Sequence, residues 1–270
     1  MSAAIALGMT RFAPPSSGRD SGPGSRTLAE EAAVAIVHDA STYAVMMATP
    51  QDLEDFAVGL SLTEGVIQSV DEVRSVEVVE AELGIEVRLW LAPGRAADLA
   101  ARRRTLTGPT GCGLCGVESL EMARKVSARR PVEIGALTPD DIWAAMASLE
   151  AGQALGRLTR GVHAAGLWTP GEGMILVRED VGRHNAVDKL AGGLARAGRD
   201  AAGVLALTSR VSVELVQKAA AMGVPVIAAV SAPTGLAIRT AEAAGVTLIA
   251  VARADGFELF THPQRIVPGP

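Results

Sequence analysis

The segment TGPTGCGLCGVES, residues 107–119, holds both cysteines of the chain, Cys112 and Cys115, in a glycine-rich loop. Two thiols three positions apart suit a redox couple, half of a metal site, or a sulfur-handling nucleophile with a companion. A zinc site needs four ligands, and His38, His163, His184 and His262 offer no second pair at ligand spacing. Only a site shared across a dimer would supply the missing half. A disulfide oxidoreductase is favoured by rigid geometry, whereas Gly111, Gly113 and Gly116 predict a mobile loop. A thiolate that accepts a sulfane sulfur, becoming a persulfide, is the third chemistry. A helix expected from Val117 and the upstream Arg102, Arg103 and Arg104 would favour that thiolate, lowering its pKa from ~8.5 toward roughly 3.5–7.5.

A second group of polar residues follows four apolar runs in the C-terminal half. MILV leads into REDVGRHNAVDKL, with Arg178, Glu179, Asp180, Arg183 and His184. VLAL leads into TSRVSVE, with Thr208, Ser209 and Arg210, and VPVIAAV leads into SAPTGLA, with Ser231, Pro233 and Thr234. VTLIAV leads into ARADGFELFTHP, with Arg253, Asp255 and Gly256. If the runs are strands of one open sheet, these loops meet outside its carboxyl ends, where ligands bind. Helix starts there, helped by Arg183, Arg210 and Arg253, would hold a phosphate-bearing ligand. Each loop by itself could equally be a set of helix caps. Neither GxGxxG nor GxxxxGK[ST] is present, so a dinucleotide fingerprint and a P-loop are both excluded.

These residues need a scaffold, and 270 residues with 49% apolar content can build a large core. Residues 1–27, rich in Pro, Gly and Ser, read as a disordered leader without signal-peptide character. Residues 28–105 read as an α+β region. AAVAIV and YAVMMA flank one hairpin, VRSVEVVEA and GIEVRLWLA form another, and TPQDLEDFAVGLSLTEGVI is a helix with Thr49 as its cap. Residues 106–116 are the mobile cysteine loop. From residue 117 onward a helix, a second helix capped by Thr138, and alternating strands and helices predict a mostly parallel sheet covered on both faces. The two cysteines point to a reducing, cytoplasmic setting, and no apolar run is long enough to span a membrane. A net charge of −5 and 3% aromatic residues argue against a nucleic-acid partner.

The motifs GCGLCG, HAAGL, REDVGRHNAVDK, TSRVSVELVQKA, SAPTGLA and FTHPQRI, in this order between about residues 28 and 266, resemble the formate dehydrogenase accessory sulfurtransferases (the FdhD family). The resemblance implies a three-layer α/β/α cytidine-deaminase-like domain in a homodimer. It implies an enzyme that takes sulfur from a cysteine desulfurase and passes it to the molybdenum bis-molybdopterin guanine dinucleotide cofactor of formate dehydrogenase. Cys112 would carry the persulfide, with Cys115 as companion. Val251, Ala252, Arg253, Ala254, Asp255 and Gly256 would bind the cofactor. Arg183, Ser209 and Arg210 join them on the sheet-edge reading, and Asp255 is placed to pair with a guanine edge. Deamination itself is unsupported, because H-x-E and P-C-x-x-C are broken by Ala165 and Gly111. A carrier that shields the cofactor without sulfur chemistry is the alternative reading, and a thiol–disulfide oxidoreductase a third.

Overall fold

The computed structural model describes residues 1–14, 20–92 and 129–268. Cys112, Cys115 and the helix expected from Val117 lie outside the described residues.

The C-terminal half is a six-stranded sheet of β7 (His163–Thr169), β8 (Gly173–Asp180), β9 (Val204–Leu207), β10 (Val226–Ala229), β11 (Thr247–Arg253) and β12 (Gly256–Leu259), in the order β12-β11-β10-β9-β7-β8. The four apolar runs are strands β8 to β11 and all point the same way, since β8 and β9 are each antiparallel to the intervening β7. The sheet is nevertheless mixed. HAAGLWT forms the buried, reversed β7, and the chain after β11 turns back as β12 instead of starting a helix. A reversed partner needs only a tight turn, which Gly171 and Gly173 and the Ala254–Asp255 turn provide.

The runs are wholly apolar because both faces are covered. Leu205, Leu207, Ile227, Ala229 and Leu248 pack toward α4 (Arg183–Arg196), α5 (Val213–Met222) and α6 (Gly235–Ala244). Val204, Val226, Ala228 and Ile249 alternate with them and meet Ile142 and Ala145 of α2 (Pro139–Gly152). This is a three-layer α/β/α arrangement. Thr138 caps α2 as expected. Its hydroxyl accepts from the Asp141 N–H while the Asp141 carboxylate accepts from the Thr138 N–H, closing a capping box. The short α3 (Ala154–Thr159) follows.

The smaller α+β region is a four-stranded sheet, β4-β3-β6-β5, made from the two expected hairpins. β3 (Ala32–His38) pairs with β4 (Ser41–Ala48), and β5 (Val73–Ala81) with β6 (Gly84–Leu91). Its inner face, including Val34, Ile36 and Val87, buries Phe56 and Leu60 of α1 (Leu53–Thr63). In place of a disordered leader, β1 (Ala4–Arg11) and β2 (Gly22–Ala29) form an antiparallel pair. Both are largely exposed, so the backbone ladder and the packing of β2 on α3 hold them, not a buried apolar face.

The two regions are joined helix to helix. A Cβ on Gly59 of α1 would lie 1.7 Å from the Asp188 carbonyl oxygen, and one on Gly192 of α4 would lie 1.9 Å from that of Asp55. Only glycine lets the two backbones come this close. Arg178 and Arg196 then clamp Asp55 from the large region. Thr49 does not cap α1. Asp52 occupies the N-cap with left-handed backbone at φ 53° and no side-chain cap. The polar atoms of Thr49 all turn to the large region: its N–H donates to Asp180 Oδ2, its hydroxyl accepts from the Val181 N–H, and its carbonyl accepts from Lys189 Nζ.

Candidate functional site

The carboxyl edge of β8 to β11 carries the expected polar residues, and most of those after β8 are structural. Arg178 is bound to Asp55 at 2.6 Å. Glu179 accepts from the N–H groups of Leu155 and Gly156, satisfying the first turn of α3. Asp180 forms a fully buried ion pair with Lys189 at 2.7 Å and accepts from Gly182 N and Asn185 Nδ2. Among these loops the helix-cap reading prevails for Arg178, Glu179 and Asp180. At the next helix starts, Thr234 caps α6 through the Ala237 N–H, and Ser212 occupies the N-cap of α5.

Arg183 differs. It begins α4 behind Gly182, which contributes no side-chain cap, and its Nε is buried with no hydrogen-bond partner among the described residues. His163, at the start of β7, lies in its field. Burial lowers the His163 pKa, and the positive charge of Arg183 and the neighbouring His184 lower it further, against a smaller opposing effect of Asp180. His184 is held by Glu214 at 3.0 Å and lies 3.3 Å from the Ser212 hydroxyl. This end of the edge therefore offers a neutral imidazole beside a cation.

The other end is a cleft of about 550 Å³ between α2 and the ends of β9, β10 and β11. One wall is Trp143, Met146, Ala147, Glu150 and Gln153; the other is Thr208, Val230, Ala252, Arg253 and Ala254. Val251 sits at φ 51°, a left-handed conformation that a β-branched residue adopts only under constraint. The irregularity it creates, between Ala250 and Arg253 in the ladder to β12, re-aims the strand end. Arg253 is exposed, and its Nε donates to the Val230 carbonyl at 3.4 Å.

The nine expected cofactor residues thus share one edge but not one point. Ala252, Arg253 and Ala254 line the cleft, Val251 shapes it, and Asp255 and Gly256 form the turn to β12. Ser209 is buried with its hydroxyl donating to the Arg210 carbonyl, so it turns inward. Arg183 belongs to the helix layer of α4, on the sheet face opposite α2. Four strand spacings, roughly 20 Å, separate the ends of β8 and β11. Such an edge suits an elongated ligand with charges at several places and not a single phosphate. Sequence reasoning missed the α2 wall, although Trp143, Ala147 and Glu150 at i, i+4 and i+7 mark one helix face. A separate cleft of about 460 Å³, lined by Thr63, Arg129, Leu194 and Asp200, lies at the opposite ends of α1, α4 and α5.

Among the described residues no cluster of His, Cys, Asp or Glu could hold a metal ion, and no helix is long and apolar enough to cross a membrane.

Comparison with known proteins agrees along nearly the whole chain. The model of the FdhD/NarQ family matches residues 29–267. The chain is 52% identical over 245 residues to the sulfur carrier protein FdhD of Agrobacterium fabrum, covering 90% of each. It is 49% identical to the protein of the same name from Cupriavidus necator, covering 88% of this chain and 83% of the other. A crystal structure from Desulfotalea psychrophila, described as a formate dehydrogenase accessory protein, superposes with a TM-score of 0.74 at 24% identity. It covers 98% of this chain and 99% of the other, and supports the fold. The chain belongs to the FdhD/NarQ family.

Proposed function

We propose that this protein is a cytoplasmic sulfur carrier that serves formate dehydrogenase, acting as a sulfurtransferase on the molybdenum bis-molybdopterin guanine dinucleotide cofactor. The observation that carries the reading is high identity, over nine-tenths of both chains, to a relative named as a sulfur carrier, in a chain whose only thiols are Cys112 and Cys115. The Cys112 thiolate attacks the outer sulfur of a cysteine desulfurase persulfide. The new S–S bond makes Cys112 the persulfide, and the desulfurase leaves as a thiolate. For delivery, Cys115 attacks the inner sulfur of Cys112. The outer sulfur leaves as hydrosulfide for the metal of the bound substrate, both electrons come from the two cysteines, and a cellular dithiol must reduce the resulting disulfide.

The long cationic edge supports the substrate assignment, because a cofactor with two nucleotide arms carries phosphates at several separated places. Arg253 serves the cleft end, Arg210 the end of β9, and Arg183 the start of α4. Val251, Ala252, Ala254, Asp255 and Gly256 form the bent strand end against which one arm lies, and the inward Ser209 keeps the Arg210 loop in shape. A homodimer would double this edge. Restoration of formate dehydrogenase activity in a strain lacking the chain tests the reading. Cys112→Ala abolishes restoration if sulfur passes through Cys112, and is nearly silent for a carrier that only shields the cofactor.

A further inference from the structure

The β1–β2 ribbon carries an apolar face that its own chain leaves open, and we propose that this face docks on the small sheet of a second copy of the chain. The cross-strand register sets Ile5 opposite Leu28, Leu7 opposite Arg26 and Met9 opposite Gly24. Ile5, Leu7, Met9 and Leu28 therefore share one side of the ribbon. The reverse side is small and polar, with Ala6 opposite Thr27 and Gly8 opposite Ser25. Ile5, Leu7 and Leu28 are all exposed, Leu7 to 48%. A two-stranded ribbon is at best marginally stable alone in water, and a contiguous apolar face turned to solvent marks a surface for a partner.

The matching surface is the outer face of the small sheet, turned away from α1. There Met47 lies beside Ala33, Val45 beside Ala35, and Ala35 beside Glu86. Val45 is 59% and Met47 51% exposed. The two alanines leave a shallow trough between the β4 side chains and Glu86, into which larger side chains such as Ile5 and Leu7 can interdigitate. The charges also match. The acids Glu77 and Glu86 flank a single base, Arg88, on the sheet face, whereas Arg11 and Arg26 lie on the apolar side of the ribbon. Both surfaces belong to one chain, yet β2 packs on α3 and leaves the outer face of its own sheet open among the described residues. A second copy related by a two-fold axis covers both, each ribbon lying on the other's sheet. A ribbon face of roughly 27 Å by 10 Å, buried on both partners in two equivalent contacts, removes roughly 1,100 Å², enough for a specific interface. The contact goes beyond the sulfur-carrier reading and does not rest on it.

Sedimentation equilibrium of the full chain tests it, with a charge placed on either surface. The wild-type chain is a dimer at micromolar concentration, and Leu7→Glu on the ribbon or Val45→Glu on the sheet weakens the dimer at least about tenfold, because each would bury an unpaired carboxylate. Both positions are exposed within one chain, and circular dichroism checks that the fold is unchanged. Mixing the two variants in equal amounts restores part of the dimer, since the intact ribbon of Val45→Glu still meets the intact sheet of Leu7→Glu. A monomeric wild-type chain, variants as dimeric as wild type, or a mixture no more dimeric than either variant alone overturns the inference. Sedimentation reads no sulfur chemistry, so failure of the sulfur-carrier reading leaves this result standing.

Discussion

Lys189 Nζ and Asp180 Oδ2 meet 2.7 Å apart with both side chains at 0% exposure, and Lys189 also donates to the Thr49 carbonyl 140 residues away. The Lys189 ammonium lies 5.9 Å from the Phe56 ring. One buried charge pair therefore ties the end of β8, the middle of α4 and the chain entering α1. Removing one partner leaves an uncompensated buried charge. Lys189→Met is expected to cost about 3–5 kcal/mol in urea denaturation. Adding Asp180→Asn to it should recover part of that loss, and a double variant as unstable as the sum of the singles would refute the pairing.

Gly59→Ala should destabilise by about 3 kcal/mol or more, because the new Cβ would collide with α4 backbone and force the helices apart. Gly135→Ala, at an exposed site where a Cβ meets nothing within 4 Å among the described residues, should stay within about 0.5 kcal/mol of wild type. Thermal and urea unfolding of both variants check the contrast.

Thr138→Ala removes the hydroxyl half of the α2 capping box and should cost about 1 kcal/mol, whereas Thr138→Ser should be nearly silent. Chemical denaturation reads both.

The lowered pKa of His163 gives stability a pH dependence of known sign. Burial and the charge of Arg183 disfavour the protonated imidazole in the folded state. Between its folded pKa and the ordinary value of 6.5, the unfolded chain therefore binds more protons. Stability contributed by the neutral ring is complete above 6.5 and is lost as the pH falls below it. His163→Gln should flatten the dependence of urea-derived stability just below pH 6.5. An unchanged slope would mean that His163 is not the titrating group.

Much of the scaffold was legible because local signals agreed with the fold. The two hairpins carried turn residues between apolar runs, α2 opened on a capping box, and β8 to β11 were short apolar runs bounded by loops. β7 was hidden, since Ala164, Ala165 and Gly166 have weak strand preference and only their burial between neighbours makes them a strand. The role of Thr49 was equally invisible, because its partners Asp180 and Lys189 lie 131 and 140 residues away. For the same reason the acids and bases after MILV read as ligand groups: their structural partners Asp55, Lys189 and the α3 amides are distant in sequence. The polar loops do gather along one edge of the sheet, yet the cleft there depends equally on α2, whose inward apolar face is the more legible one in the sequence and hides the role of Trp143 and Glu150.

The measurement that bears most directly on the account is intact-protein and peptide mass after incubation with a cysteine desulfurase and cysteine. One added sulfur, about 32 Da, is expected on Cys112, removable by a dithiol and lost in Cys112→Ala. Protein that still activates formate dehydrogenase while Cys112 never carries that sulfur would contradict it.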